Sequence, residues 1–173
     1  MRVAGIDKCE LCNGNDIGAS FYVQGCNSHC KNCFNPETWD FNGGEPFSDD
    51  IKSNFFSIIS KPYIKRVSFL GGEPLHPENI KTVLSIIKEI KSQYPQKIIW
   101  VYTGFDFKSL FVSENTVIGE LLNIVDYIVD GRYVDELRDV SLPFRGSSNQ
   151  RIWHRSNNVW IDTDNSKKER FPQ

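Results

Sequence analysis

The sequence predicts an α/β fold, and three observations carry that prediction. Short apolar runs rich in β-branched and aromatic residues alternate with segments whose apolar residues recur at helical spacing. Such alternation implies βα units and a mainly parallel sheet. The chain has 173 residues, enough for one sizeable core but short of the roughly 250 residues of a complete eight-fold barrel. The expected architecture is therefore an incomplete TIM-type barrel with a curved sheet. One domain is expected over residues 1–163, followed by a polar, charged tail over 164–173 that frays.

The elements follow in order. Ser20-Phe21-Tyr22-Val23-Gln24 reads as a strand running into a cysteine-bearing loop. Ser48 can cap a helix whose first turn holds Asp49 and Asp50, favourable at the positive end of the dipole. Ile51, Phe55, Ile58 and Ile59 then share one face. Val67-Ser68-Phe69-Leu70 is a buried strand stopping at Gly71-Gly72. Pro77 suits a first helical position, and Ile80, Val83, Leu84, Ile87 and Ile90 make the stripe of a helix closed by Pro95. Ile98 to Tyr102 is a third strand, ended by Thr103-Gly104. Val117, Leu121, Leu122 and Val125 mark a helix leading to the strand Tyr127-Ile128-Val129, ended by Asp130-Gly131. Arg151-Ile152-Trp153 and Val159-Trp160-Ile161 can pair across Ser156-Asn157-Asn158 as a hairpin. In parallel sheets, the loops at the carboxyl ends of the strands build the site, so these loop signals should converge on one rim.

The bulk numbers exclude more than they assign. A formal net charge of −2 gives no electrostatic footprint for nucleic acid. No apolar run approaches membrane-spanning length, and no secretory leader is apparent. A cytoplasmic setting is expected, where thiols stay reduced.

Cys26, Cys30 and Cys33 are spaced Cys-x3-Cys-x2-Cys. Three thiolates in eight residues can clamp a metal centre, whereas an iron–sulfur cube usually takes four; three leave one iron open. Disulfides are disfavoured by the odd count of five cysteines. Zinc with His29 as fourth ligand stays an alternative, although His29 abuts Cys30 and zinc patterns commonly show two separated pairs. Cys9 and Cys12 form a further Cys-x2-Cys pair. A pair alone does not complete a tetrahedral site, so they are read as incidental or redox-labile thiols.

Gly71-Gly72-Glu73-Pro74 is an ordinary turn when taken alone. Downstream of the three-cysteine loop it resembles the motif of radical S-adenosylmethionine (SAM) enzymes. Further stretches narrow the resemblance: Cys33-Phe34-Asn35-Pro36-Glu37-Thr38-Trp39, Glu73-Pro74-Leu75-His76-Pro77-Glu78-Asn79, Val129-Asp130-Gly131-Arg132-Tyr133 and Arg145-Gly146-Ser147-Ser148-Asn149-Gln150-Arg151. In this order they resemble the activating components of anaerobic (class III) ribonucleoside-triphosphate reductases, over residues 13–153. The resemblance implies a [4Fe–4S] cluster on Cys26, Cys30 and Cys33. It also implies cleavage of SAM to methionine and a 5′-deoxyadenosyl radical, and a glycyl radical made on the large reductase subunit. An external one-electron donor is implied; nucleic acid and membrane are not. SAM contacts are expected from Asn32, Cys33 and Phe34 at the adenine end. Gly71, Gly72 and Glu73 are expected at the ammonium, and Thr103 and Asp130 near the ribose or carboxylate. A radical SAM enzyme acting on a small molecule, of modified-purine type, is the alternative; a zinc or simple electron-transfer module is the third.

One stretch departs from the family. Its usual Asn-Gly-Pro-Gly followed by an arginine is replaced by Asn13-Gly14-Asn15-Asp16-Ile17-Gly18-Ala19-Ser20, without the proline or the basic residue. His76 is expected as a cap, His154 at the surface, Arg145 solvated, and Arg151 and Trp153 as candidate partner contacts.

Overall fold

The computed structural model describes residues 1–164 and 170–172. Nine strands and four α-helices follow in the order β1 (Arg2–Glu10), β2 (Gly18–Val23), β3 (Glu45–Pro46), α1 (Asp49–Ile59), β4 (Arg66–Gly71), α2 (Ile80–Gln93), β5 (Ile98–Tyr102), α3 (Phe107–Phe111), α4 (Thr116–Leu122), β6 (Tyr127–Asp130), β7 (Arg151–Ser156), β8 (Val159–Asp162) and β9 (Arg170–Pro172). They form one sheet in the order β3-β1-β2-β4-β5-β6-β7-β8-β9. Among the described residues no helix is long and apolar enough to cross a membrane.

The α/β class holds, but the sheet is mixed and does not close. Parallel pairing is confined to β2-β4-β5-β6, the strands joined through helices. Flanking strands pair antiparallel. The reason is connection length, since a parallel return needs a crossover of a dozen or more residues. The loop from Glu10 to Gly18 is too short for that. The β7–β8 hairpin turns on Asn157 and Asn158, both with positive φ, the geometry of a tight primed turn that matches strand twist. Part of the expected tail, Arg170–Pro172, pairs with β8.

Strand alternation separates two faces. Phe21, Val23, Val67, Phe69, Ile99, Val101 and Ile128 join the main core with Phe55, Ile59, Val83, Ile87, Ile90 and Leu121 from the helices. The stripes of α1 and α2 fold onto this face as their spacing predicts, and Ser48 Oγ accepts from Ile51 N at 3.3 Å. Helix α2 starts at Ile80, three residues later than Pro77 suggests. Asn79 is buried there, with Nδ2 donating to the carbonyls of Gln24 (2.9 Å) and Glu73 (3.0 Å). That tie holds the preceding turn out of the helix. The opposite face carries Ser20, Tyr22, Ser68, Leu70, Trp100, Tyr102 and Val129. It is covered by loops: Gly14 lies against Trp100, and the Phe144 ring meets Trp100 at 5.5 Å.

Trp153 is fully buried and stacked on Phe107 at 4.4 Å, which makes it core rather than a partner contact. His154 is half-buried against the Tyr127 ring at 4.4 Å, not at the surface. Both follow from β7 pairing with β6 inside the sheet.

Candidate metal centre and cofactor cleft

A cleft of about 500 Å³ opens at the carboxyl ends of β2, β4, β5 and β6. Cys26, Cys30, Cys33, Phe34, Gly71, Gly72, Glu73 and Thr103 all line it. The cysteine loop is shaped by its own main chain. Gly25 N donates to Thr38 O (2.8 Å), Cys26 N to Trp39 O (3.1 Å) and Cys33 N to Cys30 O (3.1 Å). Ser28 N and Asn35 N approach the sulfurs of Cys26 and Cys33 at 3.4 Å each, contacts that stabilise sulfur-borne charge. Burial and the neighbouring Cys33 push the Cys30 thiol up, so the trio favours a cationic centre that would offset the repulsion.

The residues fit a cluster. Among the described residues, three thiols and no acidic ligand face the cleft from the cysteine loop, a soft donor set suited to iron–sulfur chemistry. Thiolates that each meet a different iron of a cube need not share a point. His29 packs its ring on Trp39 at 4.8 Å.

Glu73 is buried in the cleft wall. Its Oε1 accepts from Leu75 N (2.9 Å) and Thr103 Oγ1 (2.8 Å), and its Oε2 from Gly104 N (2.7 Å). Burial nevertheless pushes its ionisation up, against those donors and the charge of Arg132. A cation arriving beside it would be welcomed. The hydroxyl of Thr103 is thus engaged in holding Glu73. Phe34 meets Tyr133 edge-on at 5.5 Å while 64% exposed, so one flat apolar face stays open.

Two glycines also have local packing roles. A Cβ on Gly72 would lie 2.5 Å from Gly25 O, so what approaches closely is the start of the cysteine loop. The same loop start is pinned by Glu73 N donating to Gly25 O at 2.8 Å. Gly71 sits at φ 105°, a conformation open to glycine.

Two predicted contacts lie outside the cleft lining. Asp130 is turned to the other side of β6, where it accepts from Phe107 N (2.7 Å) and from the Arg151 guanidinium (2.6 and 3.2 Å). Strand alternation puts it there, and it fixes Arg151, which also meets Asp106 at 2.7 Å. Asn32, at φ 55°, donates to Asp135 Oδ2 at 2.7 Å and so ties the cysteine loop to the 135–137 turn. His76 does act locally as a cap: its Nδ1 accepts from Glu78 N at 3.3 Å. Arg145 is not solvated, since it donates to Gln150 O at 3.1 Å, pairs with Asp164 and lines the cleft.

Arg66 is the residue that sequence reasoning missed. It is fully buried. Its guanidinium donates to Glu10 Oε1 (2.7 Å), to Ser68 Oγ, and to the carbonyls of Asn15 (2.9 Å), Glu10 (3.3 Å) and Asp16 (3.4 Å). It organises the 10–18 loop, whose Cys12 and Asn13 form the cleft's other wall. A charged residue at the head of an apolar strand, two positions before Ser68, was the available signal.

A cysteine trio at the strand ends of an open α/β sheet defines an iron–sulfur protein, and residues 12–153 match the family model described as a 4Fe-4S single cluster domain. The anaerobic ribonucleoside-triphosphate reductase-activating protein of Escherichia coli K12 is 36% identical over 147 residues, covering 84% of this chain and 93% of its own. Its namesake in enterobacteria phage T4 is 34% identical over 160 residues, covering 92% and 98%. That of Haemophilus influenzae is 34% identical over 148 residues, covering 84% and 92%. The chain belongs to this family of anaerobic ribonucleoside-triphosphate reductase-activating proteins.

Proposed function

We propose that the chain activates the large subunit of an anaerobic ribonucleoside-triphosphate reductase by generating a glycyl radical on it. The observation that carries this is one cleft lined by three free thiols and a buried carboxylate. When bound, a [4Fe–4S] cluster reduced by an external one-electron donor supplies the electron that cleaves SAM to methionine and the 5′-deoxyadenosyl radical.

Cys26, Cys30 and Cys33 would hold the cluster, three thiolates where four are usual, so that SAM could bind at the open position. Glu73, with the carbonyls of Gly71 and Gly72, accepts from the ammonium. Thr103 keeps Glu73 oriented, a positioning effect that lowers the entropy lost on reaction. Phe34 and the backbone at Asn32 and Cys33 serve the adenine end. Asp130 acts at a distance, by fixing Arg151 at the end of β6. The helix-free face is the inner face of an incomplete barrel in a single domain over residues 1–163. The missing strands leave the cleft accessible to a protein segment in the cytoplasm.

The test is anaerobic reconstitution, reduction with dithionite in the presence of SAM, and assay of 5′-deoxyadenosine. The parent should release it and, with the reductase added, produce a glycyl radical signal by electron paramagnetic resonance. A reconstituted chain that binds one colourless ion and leaves SAM intact would falsify the reading.

A further inference from the structure

The lining of the cleft extends beyond the residues proposed above for the cluster and SAM. Cys12 and Asn13 from the 10–18 loop, Tyr22 from β2, Tyr102 from β5, and Leu142 and Phe144 from the 132–150 loop line it. The Tyr102 hydroxyl is buried and has no hydrogen-bond partner among the described residues. Buried hydroxyls are normally paired, and an orphan marks a place where a partner is due. Burial holds its ionisation up, so it is a neutral donor.

Asn13 stands in the same wall with half of its amide committed. Its Nδ2 donates to Ser20 Oγ (3.0 Å) and Tyr22 Oη (3.3 Å), and its carbonyl accepts from Ser68 Oγ at 2.6 Å. Oδ1 is left as an uncommitted acceptor, held in place through Ser20, which donates to Glu10 Oε1 at 2.7 Å, and through Arg66.

Most of the charged groups around this end are engaged, and the Asp139 carboxylate, which accepts from Ser141 N and Oγ, stands in the same lining. Glu10 pairs with Arg66, Arg145 with Asp164, and Asp7 accepts from Tyr22 Oη at 2.8 Å. A phosphate or a free carboxylate would have to share Arg145 with Asp164 and lie beside the Asp139 carboxylate, which disfavours an anion. Beside the unfilled Nε of Arg145, the end offers one neutral donor and one neutral acceptor among the apolar side chains of Leu142 and Phe144, the complement of a peptide group. The adjoining loops expose Leu11 (65%) and Val140 (83%), apolar surface that a macromolecule covers and a small molecule does not.

We infer that this end of the cleft binds the main chain of the partner's glycine-containing segment, with Tyr102 Oη donating to a peptide carbonyl and Asn13 Oδ1 accepting from a peptide N–H. The inference rests on the activase reading, and names the substrate subsite within it. Main-chain recognition suits a target glycine, which offers no side chain to read.

The test uses the reconstituted holoprotein with SAM and two probes: the reductase large subunit, and a synthetic peptide spanning its glycyl-radical site. Tyr102→Phe and Asn13→Ala should each raise the Kd for the reductase about five- to tenfold, the range of one neutral hydrogen bond. The Kd for SAM should rise by less than about threefold, since a SAM contact would shift both alike. Iron content and thermal midpoint confirm that each variant is folded. N-methylation of the peptide beside the glycine removes N–H donors. It should weaken binding about tenfold against the parent and less than about twofold against Asn13→Ala, the signature of a coupled pair. Equal methylation penalties in parent and variant, or a loss of SAM affinity as large as that of reductase affinity, overturn the subsite. A parent holoprotein that binds neither probe overturns the activase reading together with it.

Discussion

Two loops face each other across the cleft and are held in opposite ways. The cysteine loop after β2 is fixed by main-chain hydrogen bonds to residues 38–39 and by exposed ties such as Asn32–Asp135. Its thiols add only two long main-chain contacts, to Cys26 Sγ and Cys33 Sγ at 3.4 Å each. The 10–18 loop is wrapped around a single buried side chain, Arg66, whose guanidinium reaches three of its carbonyls and the Glu10 carboxylate. The difference teaches where conformational control resides. A loop whose side chains are reserved for ligands is shaped by its backbone, whereas a loop that only walls the site can be organised by a charge inside it.

Cys30→Ala strikes the first loop where its function lies. It should abolish cluster incorporation and 5′-deoxyadenosine release, while the urea midpoint of the cluster-free protein stays close to the parent's. A large loss of stability would show that the thiol does hold the loop.

Arg66→Met strikes the second loop through its scaffold. It strands Glu10 beside unmet carbonyls, and should destabilise the fold by about 3–5 kcal/mol in urea titrations, as breaking a buried ion pair does. Adding Glu10→Gln should recover part of that loss. Next in size is Gly72→Ala, whose Cβ would press on Gly25 O. About 1–3 kcal/mol is expected for such overpacking, with poorer iron retention because the start of the cysteine loop is displaced.

The smallest effect is in pH dependence, and the two sides of the cleft differ in sign. For Glu10, burial alone would raise the pKa, but hydrogen bonds from Arg66, Ser20 and the Asn13 backbone hold it below its ordinary 4.5. Its contribution is present above that value and is lost as pH falls through the folded pKa. For Glu73, burial raises the pKa above 4.5. The folded state then holds the proton longer than the unfolded one, and stability declines as pH rises from 4.5 through the folded pKa. Urea midpoints of the cluster-free protein between about pH 3 and 7 check both, as the range brackets ordinary carboxylates. Glu10→Gln should flatten the acid limb, and Glu73→Gln the decline above it.

Much of this was legible in the chain. The four parallel strands and the stripes of α1 and α2 are apolar patterns long enough to be read locally. The cysteine spacing and the Gly-Gly-Glu turn point to the rim where the cleft opens, because their chemistry is carried by adjacent residues. Strand β1 was not legible, since its half-exposed residues, Arg2 to Glu10, show no clean alternation. Helix α3, five residues long, is too short for a periodicity to appear. Trp153 and Asp130 were misread because which side of a strand a residue faces depends on its neighbours in the sheet.

By itself the sequence determined the class of the fold, the trio of thiols and the carboxylate beside them, since these depend on residue type and spacing along a few turns of chain. Only the tertiary structure decided that Arg66 organises the 10–18 loop, that Gly72 makes room for Gly25, and that the Tyr102 hydroxyl has no partner among the described residues. Those outcomes come from contacts between residues dozens of positions apart, where packing and the matching of buried charges, not local preference, set the lowest free energy.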